Sequence, residues 1–415
     1  MSPLDSLSPV LTPASRAPEP MLTRRLVWIF AAATGVIIMN LSSAQPLIGP
    51  IAHSIGLSDG ASALIGTLPL LGYAAGLIFL VPLADLVENR RLILITQAAA
   101  VLAAAGAALI TAPEPFLAGL FLLGAACCSI QMLVPLAASM APPEARGRVV
   151  GDVMSGVMVG ILLSRPLASL SADISGWRSF YALSAALMAV LALILARNLP
   201  ERHPHPHLNY RQLLVSLWAL LSQEPVLRMR SFTAALGLAA FTAFWSAIAL
   251  RLAQAPFGLT QSGIAVFALV GATAALVAPI AGRLGDRGWS FPATVVCHAA
   301  IVLGFAVAAW GGSWADGNWF AQIVLLAVAA ALLDVGVVGD QTIGRRAVNL
   351  LNPEARGRLN ALFVGIFFVG GAFGSAASGL TWNWGGWPAV CALGASFGVA
   401  ALLADLATGP SERRL

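Results

Sequence analysis

Pro143-Glu144-Ala145-Arg146-Gly147-Arg148 recurs as Pro353-Glu354-Ala355-Arg356-Gly357-Arg358, 210 positions further along a chain of 415 residues. The register around the repeat is kept. The same offset sets Gln131 over Gln341, Gly160 over Gly370, and Gly176-Trp177 over Gly386-Trp387. One shared hexapeptide can arise by chance, but a maintained register marks a duplication. The chain is therefore expected to consist of two related halves.

The sequence around the two copies decides the class. Hydrophobic residues make up 59% of the chain and charged residues only 10%, with a mean hydropathy of +0.85. A water-soluble domain carries roughly 25% charged residues, so this chain cannot cover a soluble surface. A membrane-spanning helix needs about 20 mostly apolar residues. Runs of that kind lie near 26–47, 62–83, 92–111, 116–139, 150–172 and 179–197, and again near 231–253, 262–282, 291–311, 319–342, 359–380 and 387–406. Barrel strands are about ten residues long and alternate strictly, and these runs do neither. The reading is an all-α integral membrane protein with twelve transmembrane helices in two pseudo-symmetric six-helix bundles. The bundles cover 21–197 and 230–407. A Pro- and Ser-rich tail (1–20) is expected to be disordered, 198–229 links the halves, and 408–415 forms a second tail. The run after Arg24 and Arg25 is too long for a signal-peptide core and lacks a clean cleavage site. Each hexapeptide falls between the fourth and fifth span of its half, so the two halves are parallel repeats about an axis along the membrane normal.

The basic balance is topological. The formal charge is +5, and all 23 basic residues are arginine. With twelve spans, twenty arginines fall on one face: those of the even-to-odd connectors within each half, the two tails and the middle stretch. Only Arg178 and Arg251 fall on the other, and Arg165 lies inside a span. One helix more or fewer would scramble this asymmetry. The rich face, with both termini and the middle loop, is expected to be cytoplasmic, which places the chain in an inner (cytoplasmic) membrane. This placement argues against nucleic acid as a partner.

Cys127, Cys128, Cys297 and Cys391 lie in apolar stretches without C-x-x-C spacing, which argues against a disulfide framework or zinc site. His203-Pro204-His205-Pro206-His207 reads as linker rather than a metal site, because alternating proline splays the rings. No metal and no cofactor are expected. Tyr210 to Leu221 is apolar on much of its circumference and reads as a helix lying on the membrane surface.

The loops after the second and eighth spans carry a resemblance. The first reads Val81-Pro82-Leu83-Ala84-Asp85-Leu86-Val87-Glu88-Asn89-Arg90-Arg91 and the second Gly282-Arg283-Leu284-Gly285-Asp286-Arg287-Gly288. Both are similar to the G-x-L-x-D-R-x-G-R-R signature of the major facilitator superfamily. The first has Val81 for glycine and Leu86 for arginine, and the second lacks the arginine pair. Ser43-Ala44-Gln45-Pro46 and Leu332-Leu333-Asp334 resemble the bacterial efflux-permease branch of that family. The resemblance covers nearly the whole chain and implies alternating access by two rocking bundles. It implies a conformational latch at Asp85, Arg90 and Arg91, with Asp85 facing the N-terminus of the eleventh helix, where free N–H groups favour an anion. It implies the same role for Asp286 and Arg287 against the fifth helix. Antiporters of the family often carry G-P-x-x-G-G in the fifth helix, where this chain has Ser164-Arg165-Pro166.

Ionisable groups inside the bilayer are the sharpest functional clues. Asp334 lies near the middle of the tenth span, where an ionised carboxylate is costly. That suits a group that takes up and releases a proton. Arg165 in the fifth span is its candidate partner across a central cavity, with snorkelling to the outer surface as the alternative. Asp152 and Asp340 are weaker candidates. Asn40, Gln45, Gln131 and Gln341 are candidate cavity residues or interhelical hydrogen-bonding groups. Met132, Phe241 and Trp245 are candidates for an apolar substrate wall. Gly156, Gly160, Gly370, Gly371 and Gly374 are expected to allow close helix approach.

The expectation is a monomeric, proton-coupled secondary transporter in the lipid bilayer that exports a small amphipathic or hydrophobic substrate. Proton-coupled import of a sugar, amino acid or organic acid is the alternative, favoured if Arg165 binds a substrate anion. An integral-membrane enzyme would need a converging catalytic set, and no H-E-x-x-H or G-x-S-x-G occurs. Nor does a nucleotide-binding G-x-x-x-x-G-K-[ST] loop.

Overall fold

The computed structural model describes residues 23–201, 209–313, 318–352 and 355–408. The tail at 1–20, the run from His203 to His207 and the C-terminal tail beyond 408 lie outside them.

Among the described residues eleven helices are long and apolar enough to cross a membrane. The first half supplies the first to sixth spans: Arg24–Ile55, Gly60–Asp85, Asn89–Leu109, Pro113–Ser139, Arg146–Ser175 and Arg178–Asn198. The second half supplies the seventh to tenth: Pro225–Ala253, Gln261–Asp286, Ser290–Ser313 and Trp319–Leu351. The last helix, Arg356–Thr408, has 53 residues. That is about 80 Å of helix against a hydrocarbon core of about 30 Å. It is two spans joined at a break: Gly385 (φ −147°, ψ 15°) and Gly386 (φ 61°, ψ −152°) leave helical geometry. The positive φ of Gly386 is tolerated because glycine has no Cβ. Just past the break the Trp387 indole donates to the Ala308 carbonyl at 2.9 Å, which ties the start of the twelfth span to the ninth. Twelve spans result, as the sequence predicts. The two hexapeptides end in equivalent places, with the fifth span starting at Arg146 and the eleventh at Arg356.

The outer surface is apolar, with Leu102, Leu109, Leu276 and Leu380 largely exposed. Lipid tails are as apolar as leucine, so burying such residues gives no drive for helix association. Close backbone approach does that work, in the same way in both halves. Gly156 and Gly160 of the fifth span meet Ala31 and Gly35 of the first. Gly370 and Gly374 of the eleventh meet Ala235 and Ala239 of the seventh. A Cβ at any of these four glycines would come within 2.1–2.2 Å of a backbone carbonyl oxygen.

The halves meet where the second span lies along the eleventh, with the Tyr73 and Phe368 rings 4.6 Å apart, and where the fifth meets the eighth. There the Ser262 hydroxyl donates to Asp173, on the arginine-poor face. On the same face a narrow crevice of about 20 Å³ lies between the first, second, seventh and eleventh spans, lined by Ile48, Ala63, Ala247 and Leu250. A helix at Tyr210–Gln223 spans the two halves on the other face. Its Tyr210 hydroxyl donates to the Phe79 carbonyl of the second span, and Arg358 of the eleventh donates to its Ser216 hydroxyl.

Candidate transport cavity

Between the halves lies a cavity of about 470 Å³ lined by the first, second, fifth, seventh, eighth, tenth and eleventh spans. Its deepest polar residues are Gln45, Arg165 and Asp334. From there its wall runs along the tenth span to Arg345, Arg346 and Asn349, so it extends toward the arginine-rich face.

Local breaks in helical geometry position the deep residues. Pro46 has no N–H to donate, and the first span tightens into a 3₁₀ turn at Gln45–Leu47. This sets Gln45 toward the fifth span, where its side-chain oxygen accepts a hydrogen bond from Arg165 Nε at 3.0 Å. The Arg165 guanidinium carbon lies 4.4 Å from the Trp245 ring centre and 5.3 Å from that of Phe241. A desolvated cation over an aromatic face gains about 2 kcal/mol. Arg165 is 5% exposed. It is held in the cavity wall and does not snorkel to the surface.

The eighth span is broken in a related way, by a 3₁₀ segment at Leu269–Thr273. The break brings the Thr273 hydroxyl to Asp334, donating at 2.6 Å. Asp334 is 1% exposed. Among the described residues no ion pair closes between Asp334 and Arg165, although both line the same cavity.

The structure thus brings together Gln45, Arg165, Phe241, Trp245, Asp334 and Gln341. It separates others. Asn40 lies away from the cavity and joins the first span to the sixth: its side chain donates to the Val36 carbonyl and accepts from the Ser184 hydroxyl at 2.8 Å. Gln131 donates to the Tyr73 hydroxyl at 3.2 Å. With Met132 it lines a second pocket, on the arginine-rich face, which also holds Asp85, Gly357 and Arg358. Asp85 therefore stands beside the first turn of the eleventh span. Arg90 turns to the sixth span instead, donating to the Ala196 carbonyl and pairing with Glu201 at 3.3 Å. Arg91 and Arg287 are exposed. Asp286 does not face the fifth span. Arg346 of its own half donates to it at 2.9 Å, because the fifth and eighth spans diverge on this side around the cavity mouth.

Two features escape sequence reasoning. Arg345, Arg346 and Asn349 line the cavity, yet at the end of a span the arginines read as topological charge. Their signal is spacing: Asp334, Val338, Gln341, Arg345 and Asn349 recur at three or four residues and share one helix face. The second feature is a buried group of charges formed by Arg230, His298, Asp340 and Asp405 in the second half.

Residues 30–343 match the family model described as Major Facilitator Superfamily. The chain is 38% identical over 391 residues to an uncharacterized transporter, YgaY, of Escherichia coli O157:H7, covering 93% of this chain and 96% of that one. It is 33% identical over 393 residues to SCO4007 of Streptomyces coelicolor, also named as a transporter, covering 93% and 89%. In fold it resembles a crystal structure of the peptide transporter POT with alafosfalin (TM-score 0.73, 15% identity, 94% and 95% covered) and one of the nucleoside transporter NupG (TM-score 0.68, 16% identity, 92% and 98% covered). A duplicated six-span bundle, a cavity between the halves and a match over most of the length agree: the chain belongs to the major facilitator superfamily and is a multi-pass membrane transporter, not an enzyme.

Proposed function

We propose that this transporter is proton-coupled, that it moves a small amphipathic molecule through the central cavity by alternating access, and that Asp334 carries the proton. One observation carries the reading. Asp334 is a nearly fully buried carboxylate on the cavity wall, held by the Thr273 hydroxyl, with no cation paired to it among the described residues. A carboxylate at that depth is tolerated by protonation, by a paired cation or by water. Alternating access offers it to each side in turn, so its proton can be linked to what the cavity holds. The positive-inside rule supports placing the open, arginine-rich face in the cytoplasm.

The resemblance to efflux permeases favours outward movement in exchange for protons. One feature favours a second reading, in which proton and solute move together. The cavity is lined by Arg165, Arg345 and Arg346 against Asp334 alone.

The test is a compound screen in proteoliposomes under an imposed pH difference, run on the native protein and on Asp334→Asn. The substitution keeps size and polarity but removes the charge. Gradient-driven accumulation should be lost, while binding and downhill exchange persist. Accumulation by a correctly folded Asp334→Asn protein would exclude Asp334 as the coupling group.

A further inference from the structure

We propose that Arg345 is an anion-recognition site in this cavity and that the solute is a small amphipathic oxyanion, a carboxylate, sulfonate or phosphate on an apolar body. This rests on the reading of the cavity as the transport site, and it adds the substrate's charge.

Two neighbouring arginines are answered differently. Arg345 and Arg346 both line the cavity. Arg346 is answered by Asp286, at 2.9 Å. Arg345 is not: among the described residues it makes no ion pair, and its Nε is buried without a hydrogen bond. A topological arginine at a helix end extends its head to lipid headgroups and water. Arg345 instead lines the cavity, and its guanidinium makes no hydrogen bond to the protein among the described residues, so its donors are left for a ligand.

The rest of the wall supports the same ligand. Gln341 and Asn349 flank Arg345 one helical turn away on either side, and the amide N–H groups of such side chains can donate to an anion. With Arg346 satisfied, Arg165 and Arg345 face the single carboxylate Asp334. An anion restores the balance, and a cation would worsen it. The same cavity is also lined by Met154, Met158, Ile161, Phe367 and Phe368, an apolar surface suited to a hydrocarbon or aromatic body. Guanidinium binds oxyanions through two parallel N–H donors, which assigns the head of the solute to Arg345 and its body to this wall.

The experiment is calorimetric titration of the full chain, in phosphatidylcholine nanodiscs without any gradient, with three probes of one shape: naphthalene-2-carboxylate, naphthalene-2-carboxamide and naphthalen-2-ylmethylammonium. The carboxylate should bind roughly tenfold or more tighter than the carboxamide, as expected for a charge-assisted bond. Arg345→Gln should close that gap, costing the carboxylate far more affinity than the carboxamide. Arg345→Lys, a point charge without the fork, should keep part of it. The unfolding temperature of each variant checks its fold. Equal binding of carboxylate and carboxamide, preference for the ammonium, no carboxylate binding, or an undiminished gap in Arg345→Gln would overturn the proposal. Repeating the titration in phosphatidylglycerol nanodiscs separates two sources of the same chemistry. A lipid headgroup occupying the site would displace the carboxylate there, whereas a site for a soluble anion would not be affected. Because no gradient is applied, a carboxylate preference stands or falls independently of Asp334 as proton carrier.

Discussion

At the scale of single residues, the second half holds charges that the cavity does not use. Arg230 pairs with Asp405 at 3.4 Å. His298 places Nδ1 3.1 Å from Asp405 and Nε2 3.4 Å from Asp340. All four are 2% exposed or less, and they join the seventh, ninth, tenth and twelfth spans. The first half manages without such charges. Gln97, twelve residues past Asp85 as His298 is twelve past Asp286, simply donates to Ser129 at 2.9 Å. Breaking one member of a buried ion-pair group costs on the order of 3–5 kcal/mol, because the partners stay buried and charged. Asp405→Ala should therefore lower stability by about that amount in denaturant titrations in detergent micelles, and adding His298→Leu should recover part of it. Native-like unfolding of Asp405→Ala would show that the group contributes nothing. The group was illegible in sequence for a physical reason: Arg230 and Asp405 sit near span ends, where charge is ordinary, and only the fold brings His298 between them. Asp334 and Arg165 were legible because each lies deep in an apolar run, where charge is never ordinary. Asn40 looks the same in sequence, but its burial against the sixth span rather than the cavity depends on rotation about the helix axis, which an all-apolar run does not specify.

At the scale of elements, span number and order could be read from length and arginine placement. The breaks were harder to read. Pro46 announces the 3₁₀ turn at Gln45–Leu47, but the segment at Leu269–Thr273 has no proline and only Gly271 to mark it. That segment delivers Thr273 to Asp334, so half of the proposed coupling site was hidden. The helix at Tyr210–Gln223 was visible as an apolar stretch too short to span, and its Asn209–Gln212 capping box fixes where it starts. It also reports sidedness. Gln223 is exposed at its end, and the four native cysteines are buried. A Gln223→Cys protein should therefore react with a membrane-impermeant maleimide in inverted vesicles and not in intact cells. The reverse pattern would invert the proposed orientation.

At the scale of the whole molecule, the two-bundle plan was legible because it was written twice, but the conformation was not. A sequence that supports two packings of nearly equal energy does not say which one is occupied. The structure shows one of them, with Asp85 against the eleventh span, Asp286 paired within its own half, and the cavity open on the arginine-rich side. The proposed coupling of the two packings to a proton can be tested through charge. The charged groups lining the cavity are Asp334, Arg165, Arg345 and Arg346, the last paired with Asp286. Eleven residues of helix put Asp334 roughly 16 Å from Arg345. Across that distance, at an effective dielectric near 20, an anion on Arg345 and an ionised Asp334 repel by about 1 kcal/mol. Protonating Asp334 removes the repulsion, and by reciprocity a bound anion raises the site's proton affinity equally. Naphthalene-2-carboxylate should therefore bind roughly fivefold tighter once Asp334 is protonated. The probe itself stays ionised above about pH 5.5, so the titration is run from there to pH 8.5. Carboxamide binding should stay flat, and Asp334→Asn should hold the carboxylate at its tighter value throughout. Binding that strengthens together in this way means that proton and solute cross in the same direction. Carboxylate binding that instead weakens as pH falls would mean competition for the cavity, and with it the outward exchange that the efflux-permease resemblance implies.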